Sequence, residues 1–216
     1  MEHLPQQSIY DDHGRPEVAA LIPQGLGSAL DVGCGPGGFG LSLRECLGAQ
    51  ARVVGIEAMD DQAAVARVGH GFDRVYSGYY PQGIPAYEEP FDLVCFNDVL
   101  EHLWDPWQIL RETHNHLVPG GVVLAAIPSI QYLPELSRVV RGRWDYTDGG
   151  TLDRTHVRFF TRATMVGMFE ENGYEVEACV PANSMFRFRR YRRYRLLRPL
   201  IRDMEWMHFV IRARLV

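Results

Sequence analysis

Ala29-Leu-Asp-Val-Gly-Cys-Gly-Pro-Gly-Gly-Phe-Gly40 is the stretch on which the fold turns. Ser28 to Val32 reads as a short buried strand, and glycine takes over directly after it. A helix is predicted from about Gly38 to Leu47, with Phe39, Leu43, Cys46 and Leu47 inward. A strand, a tight glycine turn and a helix in that order open a parallel sheet covered by helices. The glycines let backbone N–H groups approach a ligand where no side chain would fit. Gly33, Gly35 and Gly38 satisfy the dinucleotide spacing GxGxxG, which is weak by itself. Asp31, two residues before the first glycine, would repel a pyrophosphate and suits a cationic ligand. The plain alternative is a glycine-rich turn with no ligand.

Outward from this unit the alternation continues. Strands are predicted at Ala51–Ile56, ended by Glu57, near Asp73–Tyr76, at Phe91–Phe96 and at Val122–Ile127. Asp60 or Asp61 is expected to cap a helix from Gln62 to Val68. Asp105-Pro106 opens another, with Asp as cap and Pro at the first helical position. From Pro128 to Phe160 the pattern gives way to aromatic and charged residues, a length of irregular chain that is more often functional than idle. Thr161 then caps a helix closed by Gly173. Strands at 174–180 and 206–212 flank an Arg-rich segment as an antiparallel hairpin.

The 216 residues suit one α/β domain, taken as residues 1–216, with 1–24 and 129–160 as covers over an acceptor site and 184–203 as a helical insertion. All 22 basic residues are Arg. Without Lys, a Walker P-loop and a pyridoxal Schiff base are both excluded. From Pro181 to Val216 ten Arg oppose only Asp203 and Glu205, so this tail carries +8 and the rest of the chain −13 of a total −5. Cys34, Cys46, Cys95 and Cys179 are scattered and read as reduced thiols in a cytoplasmic protein. The polar N-terminus does not read as a signal peptide, and the apolar run at 118–130 is broken by Pro and Gly.

Several blocks, in order, resemble the class I S-adenosylmethionine (SAM)-dependent methyltransferases: LDVGCGPGG at 30–38, VVGIE at 53–57, FDLVCFNDVLEHLWDP at 91–106, LVPGGVVLAAIP at 117–128 and LDRTHVRFFT at 152–161. DVLEH, GRWDY and LDRTHVRFFT together resemble a bacterial subgroup found beside glycosyltransferases. The resemblance implies a Rossmann-like sheet of seven strands, order 3-2-1-4-5-7-6, with the last strand antiparallel and helices on both faces. It implies that Gly33, Gly35 and Gly37 wrap the methionine part of SAM, that Asp31 supports its amino group, and that Glu57 holds the ribose. Ala58 or Met59 would flank adenine. Asn97 and Asp98 would lie near the sulfonium. Where the family has Gly-Asp after the third strand, this chain has Gly78-Tyr79, so adenine falls to the backbone at Ser77-Gly78.

Methyl transfer requires an aligned nucleophile, exclusion of water and, for a hydroxyl acceptor, removal of a proton. His102, after the fourth strand, or His156, in the irregular segment, is the candidate base, with Glu101 beside them and Arg158 or Arg154 orienting an anionic acceptor. Each histidine has a purely structural alternative. Asp98, Glu101, His102 and His156 are also similar to the metal-binding pattern of small-RNA 2′-O-methyltransferases and form the candidate ligand set, although no metal is expected. Asp145 to Gly149 lacks the spacing of an EF-hand loop, and no GxSxG motif occurs.

The expected function is O-methylation of a sugar or other small biosynthetic intermediate. A non-catalytic SAM-binding regulator, a metal-assisted RNA 2′-O-methyltransferase and a NAD-dependent oxidoreductase are the alternatives. The acceptor would be a small molecule that carries a phosphate or a nucleotide. The segment Arg187–Arg198 would contact an anionic membrane, or else form a solvated helix whose stripe of Phe188, Tyr191, Tyr194, Leu197 and Ile201 packs on the sheet. Nucleic acid is not an expected partner, because the body is acidic. The oligomeric state is left open.

Overall fold

The structure is a computed structural model and describes residues 14–216. In chain order the elements are α1 (Pro16–Ala19), β1 (Ser28–Val32), α2 (Gly38–Leu47), β2 (Arg52–Glu57), α3 (Asp60–Ala66), β3 (Arg74–Ser77), β4 (Phe91–Asn97), α4 (Pro106–Thr113), β5 (Leu117–Pro128), α5 (Leu133–Val140), α6 (Arg162–Glu170), β6 (Tyr174–Ser184), α7 (Arg198–Ile201) and β7 (Trp206–Leu215). Single 3₁₀ turns and one longer 3₁₀ run join several of them. The sheet has seven strands in the order β3-β2-β1-β4-β5-β7-β6, as expected. β1 to β5 pair in parallel, and β7 lies antiparallel to both β5 and β6.

The strands that cross the middle are apolar because helices cover both of their faces. All five residues of β1 are buried, as are Leu93, Val94, Cys95 and Phe96 of β4 and the run Val122 to Ile127 of β5. One face builds a core around Phe96, Leu110, Phe169, Tyr174 and Phe209. The other packs Phe39, Leu43, Val53, Leu93 and Leu124 under α1 and α2. Asp105 caps α4 by accepting from the Gln108 N–H at 2.8 Å. Thr161 caps α6 through a reciprocal exchange with Thr164.

Several local expectations need correction. Neither Asp60 nor Asp61 caps α3. Both lie inside its first turn, where their charge favours the helix N-terminus, and Met59 stands at the cap. Cys46 is exposed rather than inward. The stretch 129–160 contains α5, an amphipathic eight-residue helix beginning Leu-Pro. The Arg-rich insertion is not one α-helix: Arg189–Leu197 is 3₁₀ and only Arg198–Ile201 is α-helical. The apolar residues Phe188, Tyr191, Tyr194 and Leu197 recur every third position. That spacing stacks them on one side of a three-residue turn, whereas an α-helix would let them drift. The N-terminal cover falls partly outside the described residues. Its described part places α1 with Val18 fully buried.

Phe96 sits fully buried at the centre of the sheet, touching Tyr80 edge-on with ring centroids 5.8 Å apart. Phe96→Ala is expected to cost about 3–5 kcal/mol, read as a lower urea midpoint at unchanged slope.

Candidate functional site

Parallel strands all deliver their carboxyl ends to one edge, and the polar residues of the central strands collect there. The turn after β1 is pinned to β2: the Gly33 and Cys34 N–H groups both donate to the Ile56 carbonyl, at 2.8 and 3.2 Å. Glu57 is buried at the end of β2 and accepts from the N–H of Gly35 at 2.9 Å and of Met59 at 2.8 Å. One carboxylate thereby shapes the glycine loop, and each of its oxygens keeps a further lone pair. Gly33 and Gly37 have φ of +67° and +108°, and a Cβ on them would strike Val99 or His70 at 2.7 Å. At Gly35 the nearest atom to a Cβ is Gln62 Oε1 at 3.4 Å, so the cradle is open on that side.

Asp31 is buried, and its Oδ1 has no hydrogen-bond partner among the described residues. Burial pushes its carboxyl up to about 7, against the pull of Arg15 and the Asn97 amide. Asn97, at the end of β4, is close enough to act on Asp31, yet among the described residues neither of its amide atoms reaches full hydrogen-bond geometry. Buried polar groups are ordinarily hydrogen-bonded, which makes these atoms candidate ligand contacts. An ammonium meeting Asp31, with donors and acceptors meeting Asn97, would fit the amino-acid end of SAM. The adenine side is less prepared. Ala58 and Met59 are exposed, the Gly78 N–H donates to the Glu57 carbonyl at 2.9 Å, and the Ser77 hydroxyl accepts from Arg67 at 2.7 Å.

Beyond β4 the chain makes a 3₁₀ turn, Leu100–His102. It brings Glu101 and His102 together with His156, whose ring centroid is 4.6 Å from that of His102. One ligand atom of each of the three lies within 4.8 Å of the others. Glu101 is completely buried with both carboxylate oxygens unpartnered among the described residues, and burial raises its carboxyl to about 8. His102 Nδ1 lies 3.3 Å from the Thr155 carbonyl, and His156 Nδ1 lies 3.1 Å from that of Thr151. The Thr155 hydroxyl, 3.0 Å from His102 Nδ1, donates its own proton to Asp153 at 2.6 Å, and a carbonyl only accepts, so both Nδ1 atoms carry the proton and both Nε2 atoms present lone pairs. His156 Nε2 stands 3.8 Å from Glu101 Oε1. Burial lowers both histidines, His156 to about 4, so both are neutral near pH 7.

Asp98 does not join this group, contrary to the four-residue metal set. It has φ of +53° and turns toward the N-terminal segment, where it pairs with Arg15 and lies 3.3 Å from His208 Nε2. Arg154 pairs with Asp148 at 2.7 Å. Arg158 donates to the carbonyls of Val157 and Trp104 and packs on the Trp104 ring. Arg15, Thr151, Thr155 and His208 have no counterpart in the sequence reading. The signal that could have found His208 is its place as a polar residue within the apolar run of β7.

A methyltransferase-domain family model matches residues 12–178. The chain is 31% identical over 153 residues to the ubiquinone biosynthesis O-methyltransferase of Ruegeria pomeroyi, covering 68% of this chain and 59% of that protein. It is 32% identical over 151 residues to a probable S-adenosylmethionine-dependent methyltransferase of Mycolicibacterium smegmatis, covering 68% of this chain and 52% of that protein. The chain thus spans between half and three-fifths of these relatives' lengths. Among solved structures, a SAM-dependent methyltransferase from Mesorhizobium loti superposes with a TM-score of 0.62 at 20% identity, over 92% of this chain and 96% of that one. A Haloferax volcanii complex of the Trm112 activator with a methyltransferase gives 0.66 at 18%, over 94% and 88%. The fold is theirs. The chain belongs to this methyltransferase-domain family.

His208 supplies a test of the packing around Asp98. Burial lowers its pKa to about 4, with Arg15 adding to the effect, and Arg15 already neutralises Asp98. Above about pH 6.5 both folded and unfolded chains hold this ring neutral. Below it the unfolded chain takes up the proton first, so stability falls by about 1.4 kcal/mol per pH unit down to about 4. His156, Asp31 and Glu101 titrate across the same window in both proteins, so the difference in unfolding free energy between wild type and His208→Asn, followed by urea unfolding, should carry this slope.

Proposed function

We propose that the protein transfers a methyl group from SAM to a hydroxyl of a small biosynthetic intermediate, sugars included. The names of the curated relatives support O-methylation. The observation that carries the reading is the convergence of Glu101, His102 and His156 beside the carboxyl end of β4, with three buried lone-pair atoms facing one another. Burial holds Glu101 protonated and both imidazoles neutral near pH 7, so His102 Nε2, with no partner among the described residues, is a base available to an acceptor hydroxyl placed beside it.

When bound, SAM brings a methyl group already activated by its sulfonium. The chain then has three tasks. The glycine loop and Glu57 hold the cofactor, and Asp31 meets its ammonium. The neutral His102, with Nδ1–H engaged by Thr155, offers Nε2 to take the hydroxyl proton. The neutral Glu101 carboxyl and His156 ring are the polar groups that face the imidazolium that forms, and its charge pulls the Glu101 carboxyl back toward ionisation. His102→Ala and His156→Ala should each lower kcat by about 10²–10⁴-fold while leaving SAM affinity unchanged in calorimetry. The assay follows tritium from methyl-labelled SAM into pools of catechols, phenols and nucleotide sugars. Transfer at the wild-type rate in both variants would overturn the base assignment, and transfer into amines alone would overturn O-methylation. SAM binding without transfer into any pool would leave a SAM-binding regulator.

The same convergence favours a second reading, in which a divalent cation sits among Glu101, His102 and His156 and lowers the pKa of the acceptor hydroxyl. Two neutral imidazoles and a carboxylate fit such an ion. Activity that is lost on exhaustive chelation and restored by magnesium, manganese or zinc would establish this reading. Activity indifferent to both treatments would remove it.

Asp31 makes cofactor binding pH-dependent. Its carboxyl titrates near 7 in the free protein, and an ammonium ligand needs it ionised. SAM affinity should therefore fall about tenfold per unit as pH drops from 7 toward 5.5. Asp31→Asn should weaken binding at pH 7.5 by about 10–100-fold and abolish the slope.

A further inference from the structure

β7 runs antiparallel to both of its neighbours, so β6 points the same way as β1 to β5. The connection from Ser184 to Trp206 therefore lies at the sheet edge that carries Asp31 and Asn97. It is fastened there by a small apolar cluster of Tyr132, Met185 and Ile201, against which Tyr191 and Tyr194 pack. A three-residue turn sorts the side chains of Arg189–Leu197 into three rows. Tyr191 and Tyr194 anchor the first row, which ends in the exposed Leu197. Arg189, Arg192 and Arg195 form the second, and Arg190, Arg193 and Leu196 the third.

The two outward rows hold five arginines and a leucine. Among the described residues, Arg198 alone of the seven arginines from Arg187 to Arg198 has a carboxylate partner, the buried Glu205 at 2.6 Å. Arg187, Arg190 and Arg193 lie against neighbouring aromatic rings, an arrangement that leaves their charge available. Among the described residues, the pairing with the acidic body that the charge balance allows is not made by Arg187 to Arg195. Leu196 and Leu200 are 92% and 79% exposed within this cationic surface. A soluble polyanion has use for the arginines and none for the leucines. A bilayer with anionic headgroups uses both, since it pairs with the guanidinium forks and takes up the leucines at the level of the acyl boundary.

We infer that the 185–205 insertion is a peripheral docking surface for an anionic phospholipid bilayer. It sits beside a cleft of about 390 Å³ between α5 and the insertion, lined among others by Tyr132, Arg138, Arg190 and Tyr191. Docking turns the carboxyl edge of the sheet toward the membrane. No described helix is long and apolar enough to cross a bilayer, so the contact is superficial.

Sedimentation with phosphatidylcholine vesicles, with and without phosphatidylglycerol, tests the inference on the full chain. Binding should require phosphatidylglycerol and weaken steeply as salt rises from about 0.05 to 0.5 M. Arg189→Gln, Arg192→Gln and Arg195→Gln combined should lower the partition coefficient about 100-fold. Leu196→Ser with Leu200→Ser should lower it about tenfold. All five positions are exposed, so thermal melting and SAM affinity should stay at wild-type values, whatever the chemistry at His102. Equal binding to both vesicle types, no binding at low salt, or partitioning unchanged in either variant would overturn the inference. So would binding to inorganic polyphosphate or to RNA that displaces the vesicles and ignores the leucine substitutions.

Discussion

The constraint on which everything else depends is that the central strands are covered on both faces. β1, β4 and β5 have no wet side on which to carry a polar group, so chemistry is confined to their carboxyl edge. Asp31 breaks that rule by one residue. It stands inside β1, opposite Gly55 of β2 and Cys95 of β4, with one oxygen unmatched. An unsatisfied buried polar group costs about 1–3 kcal/mol. Glu101, with two unmatched oxygens, adds a second debt of the same kind close by. On the proposed function, both are the cost of keeping a polar site at the edge of an apolar sheet. Glycine at 33 and 37 is the steric counterpart of that preparation, since the loop can fold back on β2 only if nothing projects toward Val99 or His70.

Much of this was legible because it is written in neighbouring residues. β1, β4 and β5 are unbroken apolar runs bounded by Gly, Pro or charge, and LDVGCGPGG states strand, turn and helix within nine positions. Glu101, His102 and His156 were likewise recognisable as residue types in suggestive surroundings. The illegible parts depend on contacts distant in sequence. Asp98 looks like a member of the cluster by spacing, yet it is claimed by Arg15, 83 residues earlier, and by His208 on the last strand. α5 escaped notice because Leu133–Val140 is only two turns long and lies among aromatic residues. β6 and β7 run to 11 and 10 residues because each extends the other by antiparallel pairing, well past the apolar run that announced them. The 3₁₀ character of the insertion was present in the spacing of its aromatics, which an α-helical reading blurred.

The exclusive use of arginine divides into two physical roles. In the body its planar fork works as a structural clamp: Arg44 donates twice to the Gly71 carbonyl, at 3.0 and 2.8 Å, and Arg212 and Arg214 both grip Glu177. A lysine would offer a single point charge in each place. In the insertion the same side chain stacks on tyrosine and phenylalanine, which keeps a charged head oriented outward at little entropic cost. The total charge of −5 conceals this partition.

The stretch from Thr151 to Arg158 has a part in nearly every feature of the histidine cluster. It contributes His156 itself, and its carbonyls at Thr151 and Thr155 choose the tautomer of both rings. The N–H groups of Val157 and Arg158 dock it onto the Glu101 carbonyl, at 2.9 and 3.0 Å. The basicity of the site is therefore not stored in any one side chain. Lift this segment and one imidazole departs, the other loses its orientation, and Glu101 regains water and ordinary acidity. On the proposed function, the segment that would cover the acceptor is also the one that orients its base, so displacing it would silence the chemistry as well as expose it.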